Sequence, residues 1–263
     1  MSKLLEGRVA IVTGGGQGVG LGVARALASG GARVVIAQRS TETGEREAAR
    51  LSEDFGVEAL FVETDVTRRD AIDALVATVA ERFGRLDILV NNAGASFAKR
   101  LEQHSDADME QSLALNYWSV FWAMRAAFPH LKASGNGRII NLGSLNGVNA
   151  HMFTAAYNAG KEAVRALSRT AAVEWGPHGI TVNVICPSAA SPQARDYFAA
   201  NPEMHARILE QVPAGRIGDA ESDIGPIALF LASDASAYMS GNTLFADGGA
   251  HINGVAWRPE VAE

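Results

Sequence analysis

Tyr157 and Lys161 stand four residues apart, a spacing that stacks two side chains on one face of a helix. A free phenol ionises near pH ~10 and is a poor base at neutral pH, but an adjacent ammonium favours phenolate and suits the pair to general acid/base work. A second chemical feature is the run TGGGQGVG, Thr13 to Gly20. Glycine permits the positive φ angles of a sharp strand-to-helix turn, and bare backbone lets a pyrophosphate approach the N–H groups at a helix start. Gly14, Gly16, Gln17, Gly18 and Val19 are the candidate cradle. Its spacing, T-G-x-x-x-G-x-G, is not G-x-G-x-x-G, and a plain tight turn is the alternative. About 20 residues further on, Ala37-Gln38-Arg39-Ser40 lacks the carboxylate that would bond a ribose 2′-hydroxyl, whereas Arg39 and Ser40 suit a 2′-phosphate. NADP(H) is therefore expected over NAD(H), which stays the alternative if Arg39 is a solvated residue or stacks on adenine.

The elements that must position these groups follow a regular rhythm. Short β-branched runs begin at Val9, Val34, Ala59, Asp87, Arg138 and Ile180. Between them, segments such as Gly18–Gly30, Arg68–Phe83, Asp106–Leu131 and Ala155–Trp175 carry apolar residues at three- and four-residue spacing. Strands apolar on both faces, alternating with helices, predict a single-domain α/β fold: a doubly wound, Rossmann-type parallel sheet flanked by helices. One domain is expected to span residues 1–263. The rhythm breaks at Ser188–Pro213, which reads as a long loop with a short helix and a candidate lid, and a tail follows over residues 250–263.

Composition narrows the function. With 23 Lys and Arg against 29 Asp and Glu, the net charge of −6 gives no footprint for nucleic acid. The single cysteine, Cys186, forms no internal disulfide, fits a reducing compartment and reads as a small buried hydrophobe. The scattered histidines have no metal-ligand spacing, and no apolar run suits a membrane span. A cytoplasmic protein with no nucleic-acid or membrane partner is expected.

Asn91-Asn92-Ala93-Gly94 after the fourth strand, Asn116 in LALNYWS and Ser144 in IINLGSLNG add to this pattern. Together with Thr13–Gly20, Asp65-Val66, the Tyr157/Lys161 pair and Asp247-Gly248-Gly249, they strongly resemble the short-chain dehydrogenase/reductase superfamily, over roughly Leu5 to Gly249. The general sequence is also similar to its 3-oxoacyl-reductase branch. The resemblance implies a catalytic set of Asn116, Ser144, Tyr157 and Lys161. In it Tyr157 moves the proton, Ser144 orients and polarises the carbonyl, Lys161 lowers the tyrosine pKa and bonds the nicotinamide ribose, and Asn116 interrupts its helix and holds a water on the path to Lys161. It further implies that Asn92, Ala93 and Gly94 line the cofactor, Asp65 and Val66 meet the adenine, and Pro187 and Ser188 lie near the nicotinamide amide. Two positions depart from the pattern: Ser188 replaces a usual glycine, with Ser191 as the candidate for a usual threonine hydroxyl, and Gln17 stands where NADP-preferring members often carry a basic residue.

The expected reaction interconverts a secondary alcohol and a ketone. The candidate walls, Ser96-Phe97, Asn146, His151–Phe153 and the lid with Tyr197, Phe198 and Met204, suggest a medium-sized, uncharged, largely apolar small-molecule substrate. One rival is a 3-oxoacyl-[acyl-carrier-protein] reductase, for which Arg125 is a candidate carrier contact and Val173 replaces a second basic residue. A rival of another class is a catalytically silent NADP(H)-binding regulatory scaffold. A homotetramer, or a homodimer, is implied by the resemblance, with the small residues Ala155, Ala156, Ala159, Gly160 and Ala163 as packing positions and Trp257 as a tail anchor.

Overall fold

Seven parallel strands form one sheet in the order β3-β2-β1-β4-β5-β6-β7. The computed structural model describes residues 3–190 and 192–252. The strands are β1 (Val9–Thr13), β2 (Arg33–Gln38), β3 (Ala59–Glu63), β4 (Ile88–Asn91), β5 (Arg138–Leu142), β6 (Thr181–Pro187) and β7 (Thr243–Ala246). Because β1 pairs with both β2 and β4, the chain reverses direction across the sheet between β1 and β4, and the crevice at that point is where such sheets take ligands.

Successive β1 residues serve opposite cores. Ala10 and Val12 pack on one face with α1 (Gly18–Ser29), while Val9 and Ile11 pack on the other with α3 (Arg69–Phe83). This is why the strand is apolar throughout rather than alternating. The first face also receives α2 (Thr41–Phe55), whose Ala48 and Leu51 are buried although most of the helix is polar.

The second face carries the helices of the candidate site. The helical segment expected over Asp106–Leu131 is three pieces, interrupted around Asn116: α4 (Asp106–Leu113), a wide π-type turn (Ala114–Trp118) and α5 (Ser119–Ser134). In the turn the Ser119 N–H reaches back to the Ala114 carbonyl, one residue further than an α-helix allows. Ser105 starts α4 with a reciprocal cap, its Oγ accepting the Asp108 N–H while the Asp108 carboxylate accepts the Ser105 N–H. After β5 come a single turn, α6 (Leu145–Val148), and the long α7 (Ala155–Trp175), which begins and ends where its periodicity predicts.

The segment expected as a loop with one short helix holds two helices, α8 (Pro192–Ala200) and α9 (Pro202–Leu209). Each opens on proline, which is pre-set for the first helical turn. A last helix, α10 (Gly225–Ala232), packs on α1. Ser191 and Trp257 lie outside the described residues.

Candidate active site

The glycine run turns from β1 into α1 with Gly14 at φ +64° and Gly18 at φ +52°, angles that side-chain-bearing residues rarely adopt. The turn is braced from β4. Asn92 Nδ2 donates to the carbonyls of Thr13 (2.9 Å) and Gly14 (3.1 Å), and Thr13 Oγ1 accepts the N–H groups of Asn92 (3.0 Å) and Ala93 (3.1 Å). A cavity of about 630 Å³ opens over this turn, with Gly14, Gln17, Gly18 and Val19 on its wall. Gly16 is not on the wall; its N–H donates to Gln38 Oε1 at 2.8 Å, and Gln38 Nε2 donates to the Ser40 carbonyl at 3.0 Å.

At one end of the cavity stand Arg39, Ser40 and Thr43, facing Asp65, Val66 and Thr67. The Thr67 hydroxyl and N–H both donate to Asp65 Oδ1, at 2.7 and 3.0 Å, and these bonds, aided by the Arg39 charge, hold the Asp65 carboxyl below the usual carboxylate range. Asn92, Ala93 and Gly94 continue the wall towards Gln111 and Leu115 of α4 and the π-type turn.

The four candidate catalytic residues come from three elements: the cap of α6, α7 and the π-type turn. Ser144 caps α6, its Oγ accepting the Asn146 N–H at 3.2 Å, and its hydroxyl acts on the Tyr157 phenol in the sense that favours ionisation. Tyr157 lies in the first turn of α7, with Lys161 one turn on and its Nζ 5.6 Å from the centre of the phenol ring. Lys161 is buried and donates to the Leu142 carbonyl at 2.9 Å. Asn116, fully buried in the π-type turn, clamps Ala95: its Oδ1 accepts the Ala95 N–H (3.2 Å) and its Nδ2 donates to the Ala95 carbonyl (3.0 Å). Gly94 joins the groups, since a Cβ there would lie 2.8 Å from Asn116 Oδ1 and 3.1 Å from Lys161 Nζ.

Burial governs the protonation of the site. It pushes the Lys161 ammonium down to about 8, and it raises the Tyr157 phenol above its usual value against the opposing action of Ser144. The largest cause of the Tyr157 shift is desolvation, while Lys161 Nζ is engaged by the Leu142 carbonyl. The Cys186 thiol, also buried, is pushed up to about 11 and is inert as a nucleophile.

Pro187 ends β6, Ser188 follows it, and neither lines the described cavity. Ser188 donates its N–H to the Ala246 carbonyl and accepts the Gly218 N–H at its own carbonyl, which ties the start of the segment before α8 to β7 and to the stretch before α10. The small residues of α7 pack within the chain at Gly160, where a Cβ would lie 3.1 Å from Asn116 Cβ. Thr13, Gln38, Thr43, Gln111 and Leu115 were absent from the sequence-derived site. The structure places Gln38, Thr43, Gln111 and Leu115 on the wall, and Thr13, with Gln38 again, in the scaffold of the turn.

Comparison with known proteins places the chain in a family. The profile of the family described as Enoyl-(Acyl carrier protein) reductase matches residues 14–251. The 12alpha-hydroxysteroid dehydrogenase of a Clostridium species is 37% identical over 257 residues, covering 94% of this chain and 97% of that protein. The galactitol 2-dehydrogenase (L-tagatose-forming) of Cereibacter sphaeroides is 38% identical over 247 residues, covering 93% and 95%. Among solved structures, the Pseudomonas aeruginosa RhlG/NADP active-site complex superposes with a TM-score of 0.87 at 37% identity, covering 95% of this chain and 98% of that one. Fold and site define an oxidoreductase that acts on CH–OH groups and uses a nicotinamide dinucleotide. The chain belongs to the short-chain dehydrogenase/reductase superfamily.

Proposed function

We propose that this chain interconverts an uncharged, largely apolar secondary alcohol and its ketone, with NADP(H) preferred over NAD(H). The observation that carries the chemistry is the pairing of Tyr157 with buried Lys161 one turn along α7, its Nζ 5.6 Å from the phenol ring centre, with Gly94 linking the lysine to the cavity and Ser144 acting on the phenol. The cradle fits the cofactor: bare backbone at Gly14 and Gly18 suits a pyrophosphate, and Arg39 with Ser40 and Thr43 offers one cation and two hydroxyls to a 2′-phosphate. When bound, the nicotinamide supplies or takes the hydride.

The protein's own residues manage the oxygen and the proton. Ser144 Oγ holds the substrate oxygen and Tyr157 passes its proton to or from that atom. Burial moves the phenol further from ionisation, so the resting site is ready to donate a proton to a ketone. Lys161 places a positive charge behind the ring and Asn116 fixes the backbone beside it. Pro187 and Ser188 are retained as contacts to the nicotinamide amide. The carrier-protein reading has less support: Arg125 lies over the Phe121 ring, and Val173 is exposed and apolar.

A homotetramer in the cytoplasm belongs to the same proposal; no helix among the described residues is long and apolar enough to cross a membrane. Titration with NADPH and NADH by quenching of tryptophan fluorescence, then a ketone screen with the tighter nucleotide, tests the reading. Tighter NADPH binding and ketone reduction are expected. Tighter NADH binding overturns the cofactor preference, and NADPH binding with no carbonyl turned over favours the silent scaffold.

A further inference from the structure

Among the described residues only two that are not glycine hold a positive φ, Ala150 at +51° and Phe153 at +68°. Both lie in the segment between Ser144 and Tyr157. For a bulky residue this conformation is unfavourable and persists only where its surroundings enforce it. Here they do so from two sides. On the α7 side, Asn158 Nδ2 donates to the His151 carbonyl (3.0 Å) and Asn158 Oδ1 accepts the Thr154 hydroxyl (2.9 Å), one residue past Tyr157. On the other side, the Lys99 N–H donates to the Phe153 carbonyl (2.8 Å), and the Arg100 guanidinium lies over the ring, 5.8 Å from its centre.

Core packing does not account for a phenylalanine in this place. Phe153 is 46% exposed, beside Met152 at 77%, while the segment that binds it carries Phe97 at 38% and Leu101 at 73%. Glycine or asparagine would take the same backbone conformation with less strain and without exposing an aromatic ring. The ring is therefore held out, at a cost, on the loop that joins the two residues assigned to the substrate oxygen.

We propose that Phe153 is a specificity-determining residue whose ring, displayed by the strained backbone, contacts the apolar body of the alcohol or ketone and selects fused-ring or similarly extended substrates over small ones. The inference rests on the proposed alcohol–ketone reaction and names the substrate class for it. The Asn158 bonds anchor the loop that carries Phe153 to α7 one residue past Tyr157, so an apolar body against Phe153 rests on a loop fixed beside the proton donor.

The test is steady-state reduction of cyclohexanone and 2-decalone by the wild type, Phe153→Gly and Phe153→Tyr, with NADPH and NADH both supplied. Phe153→Gly accepts the left-handed backbone and removes only the ring, and nucleotide binding checks that it folds. For 2-decalone its KM is expected to rise about tenfold through the lost apolar contact. Its KM for cyclohexanone should stay within about twofold, with kcat retained on both ketones and Phe153→Tyr restoring the bicyclic KM. An unchanged KM for 2-decalone, or an equal loss on both ketones, overturns the proposal and leaves the reaction assignment standing. A wild type that binds nucleotide but reduces neither ketone and oxidises neither corresponding alcohol overturns both.

Discussion

The backbone of Gly94 passes so close to Lys161 that a methyl group on it would sit 3.1 Å from the lysine Nζ. The same methyl would lie 2.8 Å from Asn116 Oδ1, which is engaged by the Ala95 N–H. Neither neighbour is free to yield, because Lys161 and Asn116 are both buried. Gly94→Ala should therefore cost about 1–3 kcal/mol of stability by overpacking. Displacing the lysine should also lower kcat by about tenfold or more. Urea denaturation and steady-state kinetics on the same preparation measure both effects; wild-type values for both would show that the contact can relax.

Gln38 and Arg39 are adjacent in sequence and have different work. Gln38 Oε1 is occupied by the Gly16 N–H, so its side chain props the glycine turn. Gln38→Leu is expected to weaken NADPH and NADH binding by similar factors, about five- to tenfold, from the loss of one ordering hydrogen bond. Arg39→Ala should weaken NADPH alone by about tenfold or more, the scale of a charge-assisted contact to phosphate. Dissociation constants of the two nucleotides for both variants check this; a Gln38→Leu effect confined to NADH would assign Gln38 to the ribose instead.

Lys161 carries a pH signature. Its pKa, pushed from 10.5 down to about 8 by burial, means that the unfolded chain binds the proton more tightly than the native state. Between about pH 8 and 10.5 the unfolded state therefore holds more protons, and this residue's contribution to stability rises with pH; below about 8 the penalty for burying the ammonium is fully present. Lys161→Met removes the titration. The thermal midpoint of the variant relative to wild type should fall as pH is raised from 7 to 10, while activity is lost throughout, and a pH-independent difference would contradict the desolvated ammonium.

Asn141 is the centre of a buried polar chain beneath the site. Its Oδ1 accepts from Asn91 Nδ2 (2.8 Å) and its Nδ2 donates to Ser168 Oγ (2.9 Å), which binds β4, β5 and α7 together. Asn141→Leu would leave the Asn91 amide buried without that partner, at a cost of about 2 kcal/mol. A shift of the urea midpoint with unchanged slope is the expected observation. A midpoint within error of wild type would show that leucine packing offsets the lost bonds.

Much of this architecture was legible because buried parallel strands must be β-branched and their covering helices must be amphipathic. The α7 bounds and the first six strands follow from that alone. β7 was missed because Thr243–Ala246 is four residues at the sheet edge, half-buried and without a long apolar run. α2 was missed because TETGEREAARLSEDF reads as solvated and buries only a narrow stripe. α8 and α9 were hidden by short length, although Pro192 and Pro202 mark their starts. Periodicity runs unbroken through Asn116, so the π-type turn came only by resemblance. The Gln38–Gly16 bond spans 22 residues, and the left-handed Phe153 is enforced by Lys99 and Asn158; neither relation leaves a mark in spacing.

The central claim is that the Tyr157 hydroxyl moves the proton, and Tyr157→Phe removes that hydroxyl while keeping the ring. Single-turnover hydride transfer from bound nucleotide to a ketone that the wild type reduces, measured alongside nucleotide affinity, tests it most directly. The account predicts a rate lowered by about 10²–10⁴-fold, the range of general acid catalysis, with affinity unchanged. A variant that binds nucleotide normally and transfers hydride at close to the wild-type rate would contradict it.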